Sequence, residues 1–325
     1  MAKYKIVISD YYYPDIHEEM EEFSRLGNDV EVIDCTKIRA GGIKDPQELL
    51  CYAHDCDALI TQFAAPIDAA FMDGLEKCRV IARYAIGLDT IDLAAAKAHG
   101  IMVANCTDYC LDEVADSTAA HILNAARRIS VARDQLMNDT FDMNGLQPIH
   151  RMKKETICFV GFGNIARNLY RKMKPFFGSV VAVDPYIADR EKFPDVEFLE
   201  LHEALSRADV VTLHLQLTPA TRGIIGEAEF HSMKKGAIFV NTARGGLVDE
   251  AALVRALDEG KVAYCGLDVL NTEDYAKSPL LHRKEVILTP HISWCSKEAL
   301  DDLQRKTAQN VVETFLSGEP VYRAV

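Results

Sequence analysis

Three side chains are of types that could together move a proton beside a bound anion. Arg244 lies in "VNTARGGLVDE" (240–250), Glu273 in "GLDVLNTED" (266–274) and His291 in "ILTPHISW" (287–294). An imidazole trades its proton near neutral pH, and a neighbouring carboxylate can orient it and favour its charged form. A guanidinium fork matches a carboxylate through two bonds, which an ammonium group cannot do. All three follow apolar runs that read as strands, and ligands of open parallel sheets sit at the carboxyl ends of strands. Singly, each residue also has a plain reading: a surface arginine in a glycine turn, a solvated loop acid, a buried and satisfied histidine.

A fourth stretch, "FVGFGNIA" (159–166), could hold a dinucleotide. A strand must end, turn tightly and open a helix whose first amides meet a pyrophosphate. Gly161 suits the turn, Gly163 lets the backbone approach the phosphates, and Ala166 is small enough for the helix–strand contact. The next strand run, "SVVAVD", ends in Asp184, 23 residues after Gly161. An acid there accepts hydrogen bonds from ribose hydroxyls and repels a 2′-phosphate, so NAD is expected rather than NADP.

These residues need elements to carry them. The first hundred residues alternate strand and helix patterns five times, from "KIVIS" to "IMVANC". From residue 155 the alternation restarts at "ETICFVGFG", with a helix predicted over 164–177, and runs to "EVILTPH"; a last helix is predicted over 296–317. Alternation of this kind predicts parallel sheets covered by helices. Between the two α/β units, "LDEVADSTAAHILNAARRISVAR" (111–133) has the longest helical periodicity and predicts one uninterrupted helix. His121 falls on its apolar face and reads as a hydrogen-bonded core or interface histidine. The polar segment that follows reads as a long loop or arm.

Composition narrows the partners. The 325-residue chain is 49% hydrophobic and 26% charged, globular values that suit about two domains. A net charge of −13 without a basic stripe argues against nucleic acid and against an anionic membrane surface. The N-terminal apolar run is too short for a secretory signal, and no stretch approaches a membrane span. The nine cysteines are scattered; Cys106 and Cys110 lie four apart without a partner pair, so no metal site is expected. A reducing cytoplasm is expected.

Taken together, "ARYAIGLDTID" (82–92), "ADSTAAHIL" (115–123), "GFGNIAR" (161–167), "HLQLTPATRGIIG" (214–226), "VNTARGGLVDE", "GLDV" and "TPHIS" resemble the D-isomer-specific 2-hydroxyacid dehydrogenase family. The resemblance covers nearly the whole chain. Arg244 and Glu273 are 29 residues apart, Glu273 and His291 are 18 apart, and both spacings suit the family. "TPHISWCS" looks most like the subgroup containing the C-terminal binding proteins.

The resemblance implies two doubly wound parallel-sheet domains. A Rossmann dinucleotide domain (105–291) would be inserted into a flavodoxin-like substrate domain (1–104 and 292–325). It implies NAD-dependent interconversion of a 2-oxo acid and the D-2-hydroxy acid. His291 would be the acid/base, Glu273 its orienting partner, and Arg244 the clamp on the substrate carboxylate. Ile86 and Gly87 would hold the carboxylate's other side through backbone amides. Gly161, Gly163, Asn164, Ile165, Asp184, Leu215, Thr218, Thr242, Ala243 and Asp268 would line the cofactor cleft, with Asp268 on the nicotinamide carboxamide. Phe63, Tyr84 and Trp294 would form an apolar wall in the substrate pocket. The segment 111–150 resembles the family's dimerisation region, so a homodimer is expected. Formate is disfavoured by Glu273, where formate dehydrogenases carry glutamine. A phosphorylated substrate is disfavoured by Thr61, Gln62 and Phe63, where phosphoglycerate dehydrogenases place arginines; the chain also stops at 325 without their regulatory domain. The alternative is a dinucleotide-sensing scaffold like the corepressor members of the same subgroup. The absence of a long disordered tail favours the enzyme.

Overall fold

The computed structural model describes residues 3–63, 65–272 and 274–325. The chain divides into two compact units: Met1–Tyr109 with Ser296–Val325, and Cys110–Cys295.

The first unit is built on β1 (Tyr4–Ile8), β2 (Val30–Asp34), β3 (Ala58–Thr61), β4 (Val80–Arg83) and β5 (Met102–Ala104). All pairs are parallel and the order is β2-β1-β3-β4-β5, the flavodoxin-like winding. β3 and β4 are buried along their whole length, as Val/Ile-rich strands covered on both faces must be. Asp45, Asp68 and Asp92 start three of the helices by accepting amide hydrogens from the first turn. Helix Lys297–Leu316 completes the unit, capped by Ser296 and tied to helix His17–Phe23 through Gln304 and Glu19. Beyond it, Arg323 bridges Ala104 in antiparallel sense, and Ala324 N donates to the Val103 carbonyl at 2.8 Å.

The second unit carries β6 (Thr156–Val160), β7 (Ser179–Val183), β8 (Val196–Phe198), β9 (Val210–Leu213), β10 (Ala237–Asn241), β11 (Val262–Leu267) and β12 (Val286–Leu288). The sheet is parallel throughout, ordered β12-β11-β10-β9-β6-β7-β8. Strand order reverses between β6 and β9, which opens a crevice at their carboxyl ends. Apolar cores cover both faces, one around Phe239 and Leu253, the other around Phe159 and Phe162.

Two expectations need correction here. The helix predicted over 111–133 runs from Leu111 to Arg127, breaks at Arg128 (φ 57°) and restarts as Ile129–Met137. Arg128 is held in this left-handed conformation by its own side chain. The guanidinium stacks 3.7 Å above the Tyr264 ring and donates to the Ala125 and Pro148 carbonyls. Apolar periodicity continues through the break, so nothing in the pattern marks it. The helix predicted over 164–177 ends at Met173, and a 3-10 turn containing Pro175 follows. Among the described residues, no helix is long and apolar enough to cross a membrane, and no cluster of His, Cys, Asp and Glu could hold a metal ion.

Candidate active site

The glycine loop follows β6 directly. Gly161 has φ +91°, and a Cβ there would stand 2.7 Å from the His214 carbonyl oxygen and 2.9 Å from Leu215 Cδ2. Both the backbone conformation and the close passage of the β9 end therefore require glycine. Phe162 turns inward, edge-on to Phe159, Phe193 and Phe198. Gly163 is the N-cap of helix Asn164–Met173, and a Cβ there would meet nothing within 4 Å. Gly163 and Asn164 are exposed, Ile165 is half-buried, and Ala166 is fully buried beneath the loop. The start of the helix is thus uncovered, which suits an anion at its first amides. Asp184, at the end of β7, ties that strand to the loop. Its carboxylate accepts from Phe162 N at 2.9 Å and from Tyr186 N at 3.0 Å. Thr218 lies in an exposed turn with Thr221. The open cradle at Gly163, the helix start and the neighbouring acid fit a dinucleotide.

Arg244 follows β10. Asn241 folds the turn by donating to the Arg244 carbonyl (2.9 Å) and accepting from Ala243 N (3.0 Å). Thr242 is buried, its hydroxyl 2.7 Å from that of Thr118. The half-buried Arg244 donates from Nη1 to the Ala243 carbonyl at 2.7 Å. A Cβ on Gly245 would lie 2.0 Å from both C and O of Leu270. Only glycine lets this turn press against the Leu270–Asn271 peptide. Asn271 is pinned from the same side by Glu250 and the Val248 carbonyl. Glu273, two residues further, lies outside the described residues.

His291 follows β12 and has φ +52°. Its loop hangs on Asp268, the residue after β11, which is fully buried. The Asp268 carboxylate accepts from Thr289 Oγ1 (2.6 Å), Ile292 N (3.0 Å) and Ser293 N (2.9 Å), and its carbonyl accepts from His291 N (2.8 Å). Trp294 Nε1 donates to the His291 carbonyl at 2.7 Å. Expected from the resemblance as a cofactor contact, Asp268 here organises the histidine loop. Sequence reasoning missed that, because the partners lie 21 to 25 residues away. Arg244 and His291 thus stand at the same end of one sheet, on strands flanking β11.

In the first unit, Ile86 and Gly87 form a half-buried turn after β4. Asn105 Nδ2 donates to the Ile86 carbonyl (2.6 Å), and Arg83 Nη1 to that of Gly87 (2.7 Å). Buried Asp10 holds the loop after β3, accepting from Gln62 N (2.9 Å) and Phe63 N (2.6 Å). Phe63 keeps a partly open ring beside exposed Tyr12. Tyr84, expected in an apolar wall, is instead enclosed in the unit's core. Its hydroxyl donates to Glu19 at 2.6 Å, and burial pushes the Glu19 carboxyl above its usual range.

Known proteins resemble the chain over most of its length. The family model for the NAD-binding domain of D-isomer-specific 2-hydroxyacid dehydrogenases matches residues 119–293. The D-3-phosphoglycerate dehydrogenase of Mycobacterium bovis is 36% identical over 282 residues, covering 86% of this chain and 53% of that protein. The glyoxylate reductase of Thermococcus litoralis is 33% identical over 288 residues, covering 85% and 87%. The crystal structure of a glyoxylate reductase from Paecilomyes thermophila superposes with TM-score 0.88 at 26% identity, covering 100% of this chain and 99% of that one. The chain spans about half the length of the phosphoglycerate dehydrogenases it matches. It belongs to the D-isomer-specific 2-hydroxyacid dehydrogenase family. Its second unit contains the family's NAD-binding domain, and NAD is the cofactor.

Proposed function

We propose that the protein is an NAD-dependent oxidoreductase interconverting a 2-oxo acid and its D-2-hydroxy acid. Bound NADH supplies the hydride chemistry at C2. His291 gives a proton to the substrate oxygen in reduction and takes it in oxidation. Arg244 pairs with the substrate carboxylate and polarises the carbonyl oxygen. Glu273 orients the imidazole, and the Ile86–Gly87 turn offers amides to the carboxylate. Gly161, Gly163, Asn164 and Ile165 cradle the pyrophosphate, and Asp184 takes the ribose hydroxyls and disfavours a 2′-phosphate. Leu215, Thr218, Thr242, Ala243 and Asp268 complete the cofactor cleft.

The observation that carries this reading is the pairing of Arg244 and His291 on loops after β10 and β12, braced by residues after β11. The test is kinetic. His291→Ala and Arg244→Ala should each cut NADH-dependent reduction of the preferred 2-oxo acid by on the order of 10²-fold or more. Near-wild-type rates in either variant would end the assignment.

The substrate we propose has an uncharged side chain. The end of β3 and the loop after it hold Thr61, Gln62 and Phe63 around the Asp10 carboxylate, a poor setting for a phosphate, and the Phe63 and Tyr12 rings suit an apolar group. The names of the relatives support an enzyme over a sensing scaffold. We also propose a homodimer through 111–150. Ile129, Leu136, Met137, Phe141 and Met143 are large apolar side chains exposed along that segment, which supports a partner surface there. We also propose a reducing, cytoplasmic setting, in keeping with nine scattered cysteines of which seven are buried.

A further inference from the structure

We infer that His121 is a positioning residue for His291, acting through Thr289 and Asp268. The inference rests on the proton-carrying role proposed for His291. His121 sits in mid-helix on Leu111–Arg127 and is 5% exposed. Its Nε2 lies 3.1 Å from Thr289 Oγ1. The Thr289 hydroxyl has one proton, and it goes to Asp268 Oδ1 at 2.6 Å. Thr289 must therefore accept from His121, which fixes the imidazole proton on Nε2. Nδ1 is then the bare nitrogen, and it is buried without a hydrogen-bond partner. A second proton there would have no acceptor. Burial also pushes the His121 pKa below the ordinary histidine value, in the same sense.

This donor serves a strained loop. At φ +52°, His291 occupies a region that non-glycine residues enter only when their surroundings hold them there. Asp268 supplies that hold through Thr289, Ile292, Ser293 and the His291 amide. The helix braces the same loop a second time, one turn earlier. Ser117 Oγ donates to the Ser293 carbonyl at 3.3 Å. Residues 117 and 121 share one helical face, so that face grips the loop on both sides of His291. Gly266 makes room for the ring: a Cβ there would lie 2.7 Å from His121 Cβ and 2.9 Å from Nδ1. A histidine retained merely to fill the core would not need a neighbouring strand stripped of its side chain, nor leave one nitrogen orphaned.

The experiment pairs kinetics with spectroscopy. His121→Leu keeps the ring's apolar volume and removes the donor. It should lower kcat by about 3- to 10-fold, the range for one neutral hydrogen bond. NADH affinity and the KM for the 2-oxo acid should hold near wild type. His121→Gln, which can present an N–H to Thr289, should restore most of the rate. Thr289→Val, which also loses the bond to Asp268, should cost at least as much, and the double variant His121→Leu/Thr289→Val should be no worse than Thr289→Val alone. Nitrogen-15 spectra of the imidazoles should show His121 with its proton on Nε2, titrating below an ordinary histidine. Wild-type kcat in His121→Leu overturns the inference; so do additive losses in the double variant, or a proton on Nδ1. If His121→Leu fails to fold, Thr289→Val and the spectra of the unaltered protein decide. An active His291→Ala would sink the reaction assignment and this inference with it. An inactive His291→Ala beside a normal His121→Leu would remove the inference alone.

Discussion

Gly245→Ala tests how closely the arginine turn must sit. Its φ is not the issue; the neighbour is. The added Cβ would stand 2.0 Å from the Leu270 carbonyl carbon and oxygen, and 2.6 Å from Asn271 N. These are backbone atoms, which cannot rotate aside as a flexible side chain could. Side-chain carbons are not found closer than about 3 Å to such atoms, so one loop must retreat by at least about 1 Å. Asn271 is anchored through Glu250 and Val248, and Asn241 closes the Arg244 turn. Whichever side yields, Arg244 shifts relative to the stretch leading to Glu273. A displacement of about 1 Å at a reacting centre costs on the order of 10²-fold in rate. The glycine loop at 161–163 belongs to other strands and should be untouched. Steady-state kinetics with NADH and a 2-oxo acid should therefore show kcat falling about 10²-fold. NADH binding followed by fluorescence should change less than about 3-fold. A Gly245→Ala enzyme within a few-fold of wild-type kcat would refute the argument that this contact sets the arginine's position.

Two further outcomes follow from the same geometry. Gly161→Ala places a methyl group 2.7 Å from the His214 carbonyl oxygen at φ +91°, so NADH affinity should fall by about 10-fold or more in a fluorescence titration. His214 is held neutral by burial, its pKa pushed down to about 3 from the ordinary 6.5. Its contribution to stability is complete above pH 6.5 and is lost as pH falls below that value toward 3, because only the unfolded chain takes up the proton. Linkage of this sense amounts to about 1 kcal/mol between pH 7.5 and 5.5. Urea unfolding at the two pH values should show wild type losing about that much more than His214→Asn.

What could be read from the sequence was local. The strand–helix alternation and the turn at Gly161 lie within a few residues of the patterns that signal them. The break at Arg128 was illegible because its cause, the Tyr264 ring, lies 136 residues away on β11. Gly245 and Gly266 could be quoted as motif letters, but their need for glycine comes from Leu270 and His121, which only the folded chain brings near. Tyr84 looked like a pocket residue because its neighbours in the motif face a turn; Glu19 draws it into the core.

The division of the chain has a consequence for biosynthesis. Residues 110–295 are contiguous, so every strand of the seven-stranded sheet is available once residue 295 has left the ribosome. Residues 1–109 emerge first yet must wait for 296–325. Until then Tyr4 lacks the Phe315 ring it stacks on, Glu19 lacks Gln304, and β5 has an open edge where Arg323 and Ala324 will bind. At about 5–20 residues per second, the 186 intervening residues take roughly 10 to 40 s to make. During that interval the first unit, begun before the second, stays unfinished. It carries an unpaired strand edge the whole time, which makes it the segment most in need of a chaperone's protection.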